Sequence, residues 1–183
     1  MGLKKFIVLN LPIKIRGYAW IPCSMLYEKS VEANSISLLA IEKALAQKLG
    51  WEETLNTVRG VWRRLASESV KMVMDELGLE GDGADTAMKV FSVFALFLGF
   101  KHRITKLTYN EAVGIIYDCS HWNAMKRLDM TDKWDCRKIH MDFVAEVLKV
   151  INPKLKAELT KTMFDGDKYC EMVIRLEGEQ VSE

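Results

Sequence analysis

Thiol and imidazole side chains, which can act as nucleophiles, proton acceptors or metal ligands, are concentrated in the last third of this chain. Three of the four cysteines and two of the three histidines lie there: Cys119, Cys136, Cys170, His121 and His140. We therefore expect the chemistry of the protein to reside in this segment.

Cys136 and His140 are one helical turn apart, on the apolar stripe of a predicted helix that runs from Cys136 to Ile151. Free backbone N–H groups at a helix N-terminus favour negative charge, which lowers the pKa of a nearby thiol. Cys119 directly precedes a second predicted helix, for which Ser120 is the expected N-cap. The spacing thus predicts a nucleophilic Cys136 with His140 as its proton acceptor.

Two other interpretations of the same residues remain open. Three thiols and one imidazole fit a Zn²⁺ site, although the chain lacks a Cys-x-x-Cys knuckle, so the zinc signal is weak. Cysteine is also among the residue types most often buried for packing alone. Each thiol could therefore be structural.

The elements that position these residues begin with a mainly helical part, residues 1–100. Apolar residues at helical spacing predict helices over Ser30–Leu49 and Trp51–Leu77. A third helix is predicted over Ala84–Phe100, where apolar residues occur almost all round. In the first helix, the stripe expected to face the core consists of Leu38, Ile41, Leu45 and Leu49.

Strands are predicted in residues 101–177, where apolar and polar residues alternate. The strand Tyr169–Leu176 follows hairpin residues 165–168, and its alternation places Cys170 on the core face. The same count over Ala112–Cys119 groups Cys119 with Val113, Ile115 and Tyr117, also expected to face inward. If the Cys136 helix packs on the sheet, its Cys136 and His140 would meet Cys119 and Cys170 in one interior region.

This order of elements predicts an α+β fold, with N-terminal helices packed against a C-terminal antiparallel sheet of about four strands and two interleaved helices. We expect one domain over residues 1–183, with an extended arm or short strand over Phe6–Ile15 and a polar tail over residues 178–183.

The composition narrows the function. The 183 residues are 49% hydrophobic and 28% charged, with a formal net charge of +1, so no single-signed field would attract nucleic acid. No secretory leader is visible, which favours reduced thiols and a cytoplasmic location. The apolar segment Ala84–Phe100 is too short for a bilayer and contains Asp85 and Lys89, so we expect no membrane insertion. It could instead be buried in the core or partly in a homodimer interface.

Several of these segments resemble the L-2-amino-thiazoline-4-carboxylic acid hydrolase-like family. The similar pieces are Cys119 after a strand, the helix from Cys136 to Ile151-Asn152-Pro153, and the hairpin Gly166-Asp167-Lys168-Tyr169-Cys170-Glu171. The segment from Gly50 to Trp62 is also similar to relatives of that family. The Gly-Asp-x-x-Cys hairpin further resembles that of vinyl-reductase-type small-molecule-binding domains.

The first resemblance implies a hydrolase of a small amino-acid-derived heterocycle, and the second a binding module. Spacing and resemblance together give candidate catalytic residues Cys136, His140, Cys119 and Asp167. The candidate ligand-binding residues are Cys170, Ser120 and His121. We expect a small-molecule substrate or ligand. The alternative to the hydrolase is a non-catalytic domain that binds or senses a small molecule, a metal or haem.

Overall fold

A computed structural model describes the backbone of residues 12–15 and 19–178 and the side chains of residues 23–178. The first half consists mainly of three helices: α1 (Cys23–Leu49), α2 (Trp51–Leu77) and α3 (Ala84–Phe97). Before them, β1 (Pro12–Ile15) pairs antiparallel with β2 (Ala19–Pro22). The predicted arm therefore contains a strand from Pro12, and its earlier residues lie outside the described range.

Glycines with positive φ angles end α1 and α2. Gly50 lies between α1 and α2 with φ of +85°, a value that L side chains rarely adopt. Gly78 ends α2 in the left-handed conformation, and its N–H donates to carbonyl groups of the last turn. The first helix begins earlier than predicted, because α1 starts at Cys23 and the apolar spacing predicted a start at Ser30.

The orientation expected for α1 is wrong. Its predicted core stripe is exposed along its whole length, and Ile41 is 59% accessible. The buried stripe lies one position further along and consists of Leu39, Glu42 and Ala46. Leu39 packs with the α2 residue Val58 in one of the two core clusters, so α1 contacts the core through the stripe that contains Leu39.

The second half contains the predicted antiparallel sheet. Its four strands are β3 (Lys101–Leu107), β4 (Glu111–Asp118), β5 (Leu155–Lys161) and β6 (Cys170–Leu176). Their order across the sheet is β3-β4-β6-β5, and every neighbouring pair is antiparallel. The α+β fold class is thus confirmed.

One face of the sheet packs on the helices. Ile116 pairs with Cys170 and Gly114 with Met172, so these four residues share a face. A Cβ placed on Gly114 would lie 2.8 Å from Sδ of the α3 residue Met88, which identifies this face as the helix-facing one. The prediction that Cys170 faces the core is therefore confirmed.

The argument used for Cys119 is wrong, although its conclusion about an inward thiol holds. Val113, Ile115 and Tyr117 alternate with the helix-facing residues and lie on the opposite face, where Tyr117 is 54% exposed. Cys119 lies beyond the end of β4, so strand alternation does not determine its direction.

Two further helices lie between β4 and β5 in the sequence: α4 (Ser120–Arg127) and α5 (Cys136–Ile151). The bounds of α5 agree with its predicted start and with its end before Asn152-Pro153. A 3₁₀ turn, Met163–Asp165, lies in the connection between β5 and β6. The half-buried Trp62 of α2 packs against both core clusters, so the helical part and the sheet part share one interior. None of the helices in the described part of the chain is long and apolar enough to cross a membrane.

Candidate functional site

A cavity of about 200 Å³ lies where α1, α4 and α5 meet the helix-facing side of the sheet. Its outer rim includes Leu38, Asn34 and Phe97, which are exposed. Its lining is mostly apolar and contains five of the seven predicted site residues: Cys119, His121, Cys136, His140 and Cys170. The structure therefore brings the three thiols of the C-terminal third and two imidazoles together at one cavity.

The start of α4 positions Cys119 and His121. The N-cap of this helix is Cys119, whose Sγ accepts a hydrogen bond from the N–H of Trp122 at 3.3 Å. The predicted cap, Ser120, is instead the first helical residue, and its Oγ donates to the carbonyl oxygen of Leu98 at 2.6 Å. Ser120 does not line the cavity. It attaches α4 to the chain that follows α3.

The start of α5 positions Cys136 and His140. Asp135 is the N-cap, and its carboxylate accepts a hydrogen bond from the N–H of Arg137 at 3.1 Å. Cys136, His140 and Phe143 follow at helical spacing, and all three line the cavity. The stripe predicted for this helix is correct.

Thr162, in the connection between β5 and β6, and Cys170, the first residue of β6, close another side of the cavity. Sγ of Cys170 accepts a hydrogen bond from the N–H of Met163 at 3.3 Å. Asp167 is exposed, and its carboxylate accepts from the N–H of Thr162 at 2.9 Å. Asp167 therefore stabilises the turn and is not part of the cavity wall.

The thiols have the opposite acidity from the one expected at helix N-termini. Burial raises the pKa of Cys119 and of Cys136 to about 12, and burial also raises the pKa of Cys170. The neighbouring thiols add to the effect on Cys136, because each thiolate would repel the others. The lowered pKa predicted for Cys136 is therefore wrong, and the three thiols are neutral at pH 7.

The imidazoles are neutral as well. Burial lowers the pKa of His121 and of His140 to about 4, and repulsion from His140 adds a smaller contribution at His121. Among the described residues, neither imidazole has a hydrogen-bond partner. A neutral imidazole has one donor and one acceptor nitrogen, so the cavity contains two unpaired donor-acceptor groups.

Arg137 is the only Asp, Glu, Lys or Arg residue in the described cavity wall. Its guanidinium donates to Asp135 at 3.0 Å and to Asp165 at 2.7 Å, and it lies 4.4 Å from the ring centroid of Phe164. The hydrogen bond with Asp135 is the main reason that the pKa of Arg137 is raised. Two carboxylates thus balance its charge, so the cavity has no free cation with which to bind an anionic ligand.

The zinc interpretation has no support in the geometry. Across the described residues, no group of three or more His, Cys, Asp or Glu side chains is arranged to hold a metal ion. The cavity volume also lies below the 300–1,000 Å³ of pockets for drug-sized ligands, which argues against a group as large as haem.

The sequence did not identify several residues of the cavity wall. Trp62, Trp122 and Phe143 are aromatic lining residues, and Phe97 forms part of the rim. Phe143 shares the predicted stripe with His140, so its position could have been inferred. Trp62 and Trp122 belong to separate helices, and their contact with the cavity depends on long-range packing that local spacing does not contain.

A scan against protein-family models found no match, and a search of curated proteins found none either. Several solved structures share the fold, among them the following two. The phenol-responsive sensory domain of the transcription activator PoxR, solved with phenol, has a TM-score of 0.60 at 8% identity, covering 94% of this chain and 87% of that one.

Trafficking protein particle complex subunit 3 from Naegleria fowleri, covalently bound to palmitic acid, has a TM-score of 0.55 at 15% identity, covering 85% of this chain and 99% of that one. At these identities the likeness establishes the fold alone. One neighbour is a small-molecule-responsive domain, and the hydrolase-like family gains no support from these comparisons.

Proposed function

We propose that this protein is a non-catalytic small-molecule-binding domain of the sensory type, whose ligand is a neutral single-ring molecule with a hydrogen-bonding group such as a hydroxyl. The observation that supports this most is the pair of unpartnered, neutral imidazoles, His121 and His140, on the wall of an apolar cavity. The shared fold of the phenol-responsive domain is consistent with this ligand class.

The size of the cavity favours one ring. An engineered protein cavity of about 150 Å³ lined by apolar side chains binds benzene. The cavity here has a volume of about 200 Å³, which leaves room for a ring and one small polar substituent. Trp62, Trp122 and Phe143 provide aromatic surface for such a ring.

The polarity of the cavity favours a neutral ligand with a hydroxyl. A phenolic hydroxyl can donate to one imidazole nitrogen and accept from another, which would satisfy groups that have no partner among the described residues. A carboxylate would lose its hydration without meeting a free cation, because Arg137 is already paired with Asp135 and Asp165. We therefore expect phenol to bind and benzoate not to bind.

The hydrolase interpretation is the weaker of the two. A cysteine nucleophile reacts as its thiolate, and burial disfavours the thiolate of both Cys119 and Cys136. His140, with its pKa lowered, is also a weak proton acceptor for such a thiol. We do not assign a reaction to these residues.

Titration calorimetry with phenol at pH 7 tests the proposal. Replacing His121 or His140 by leucine should weaken phenol binding about 5- to 150-fold, because each change removes a hydrogen bond to the ligand worth roughly 1–3 kcal/mol. Asn123→Leu is the matched control, since Asn123 is exposed on α4 and outside the cavity wall. Absence of phenol binding to the wild-type protein, or equal binding by the histidine variants, would contradict the proposal.

We further propose a single domain over residues 1–183, a cytoplasmic location and a homodimer. The shared interior around Trp62 supports one domain, and the absence of a disulfide at Cys119, Cys136 and Cys170 is compatible with a reducing compartment. The exposed α1 stripe supports a dimer. Around Leu38, Ile41 and Leu45 the exposed positions include Ser37, Ala40 and Ala44, with the charged Lys48 one turn beyond Leu45, so this face is mostly uncharged and could pair with itself.

A further inference from the structure

A second, smaller chamber of about 60 Å³ lies behind the cavity, between α3 and the helix-facing side of the sheet. On α3, Met88, Ser92 and Ala95 line it at helical spacing, and Gly114 and Met172 line it from the sheet. Because Gly114 has no side chain, Met88 can lie close to β4. The chamber is therefore part of the junction between α3 and the sheet.

The two chambers share a wall. Seven residues line both of them: Leu98, Phe100, Ile116, His140, Phe143, Leu159 and Cys170. His140, one of the two unpartnered imidazoles, is thus in contact with the outer and the inner chamber. The two spaces lie on either side of the same few side chains.

The inner chamber contains a polar group that the fold does not satisfy. Oγ of Ser92 is buried and has no hydrogen-bond partner among the described residues. A hydroxyl in a helix can usually bond to the carbonyl one turn earlier, but the Ser92 hydroxyl makes no such bond and Ser92 lines the chamber. A buried hydroxyl without a partner destabilises the protein, and a polar atom placed in the chamber would remove that cost.

We propose that the outer and inner chambers together form one binding site for a ring with two hydrogen-bonding groups, of the benzenediol class. One group pairs with the imidazoles of the outer chamber, and the second extends past the shared wall to Ser92. This proposal rests on the ligand class proposed above and extends it. Ser92 is then a residue that determines specificity between mono- and disubstituted rings.

Calorimetric titration with phenol, 4-methylphenol and the three benzenediols tests the inference. At least one diol should bind wild-type protein about tenfold more tightly than both phenol and 4-methylphenol, because only its second hydroxyl can pair with Ser92. In Ser92→Ala this gain should disappear while the affinity for phenol stays within twofold. Ser67→Ala is the matched control, since Ser67 is exposed on α2 and lines neither chamber.

The outcomes separate the two proposals. If phenol does not bind at all, the proposed function fails. If phenol binds but no diol exceeds both phenol and 4-methylphenol, or if the gain survives in Ser92→Ala, the inner chamber is not part of the site and this inference is overturned. Ser92→Cys, which keeps the side-chain size with a weaker hydrogen-bonding group, should give an intermediate gain and provides a second variant if Ser92→Ala folds poorly.

Discussion

The half-buried imidazoles of His121 and His140 make the free energy of unfolding depend on pH in the acidic range. The pKa values of His121 and His140 are lowered from 6.5 to about 4 by burial. As pH falls from 6.5 towards 4, the unfolded chain takes up protons that the folded protein does not, so the free energy of unfolding decreases. Each imidazole alone accounts for about 3 kcal/mol over this range, at roughly 1.4 kcal/mol per pKa unit.

A buried carboxyl acts in the opposite direction over the same range. Burial raises the pKa of Glu42 from 4.5 to about 7, so between these values the folded protein holds a proton that the unfolded chain releases. This makes the free energy of unfolding rise as pH falls. Near pH 5.5 the unfolded chain therefore binds about one proton more than the folded protein, counting the two imidazoles and the one carboxyl. The free energy of unfolding then decreases by about 1 kcal/mol for each pH unit of acidification.

Urea unfolding at several pH values between 5 and 6 measures this slope in three proteins. The wild type should lose about 1 kcal/mol per pH unit as the solution is acidified. His140→Leu should show a slope near zero, because one imidazole and Glu42 then cancel. Glu42→Gln should show a slope of roughly 2–3 kcal/mol per pH unit. If His140→Leu kept the wild-type slope, His140 would not be a buried neutral imidazole and the reasoning would be refuted.

Three further predictions concern other parts of the molecule. In native protein at pH 7, Cys119 and Cys136 should alkylate far more slowly than in urea. A pKa of about 12 in place of 9 lowers the thiolate fraction about 1,000-fold. Equal alkylation rates in native and unfolded protein, measured by peptide mapping, would contradict the raised pKa values. Gly99→Ala should destabilise the protein by about 2–4 kcal/mol in urea unfolding. Gly99 has φ of +70°, and a Cβ at this position would lie 2.1 Å from Cγ1 of Val31. An unchanged urea midpoint would refute this close contact. Ile41→Lys should convert the proposed dimer into a monomer in sedimentation velocity, and a wild-type protein that sediments as a monomer would exclude the dimer.

Local sequence signals were sufficient to predict two features of the C-terminal half. The bounds of α5 follow from the capping carboxylate of Asp135 and from Pro153, which cannot continue a helix. The inward direction of Cys170 follows from strand alternation, since β6 is flanked by a strand on each side and one of its faces packs on helices. These features depend on neighbours in sequence, which is why they could be predicted.

The orientation of α1 could not be predicted from its spacing. Leucine and isoleucine at helical intervals indicate an apolar face, but not whether the partner of that face belongs to the same chain. The helix instead buries Leu39, Glu42 and Ala46. A buried glutamate is an unusual choice that hydrophobic spacing alone does not anticipate.

The acidity of Cys136 was predicted with the wrong sign because two effects compete there. A helix N-terminus stabilises a nearby anion by about 0.3–1 kcal/mol, which is less than one pKa unit. Burial can raise a thiol pKa by several units, and at Cys136 the neighbouring thiols act in the same direction. The position of Cys136 in the helix is visible in the sequence, whereas the walls that bury it come from other elements.

Nitrogen-15 NMR of the histidine side chains tests the central claim most directly, because it observes the two imidazoles themselves. At pH 6 the signals of His121 and His140 should be those of neutral imidazoles, and addition of phenol should shift both signals. Protonated His121 and His140 at pH 6, or phenol binding that leaves both signals unchanged, would contradict a ligand site built on these two side chains.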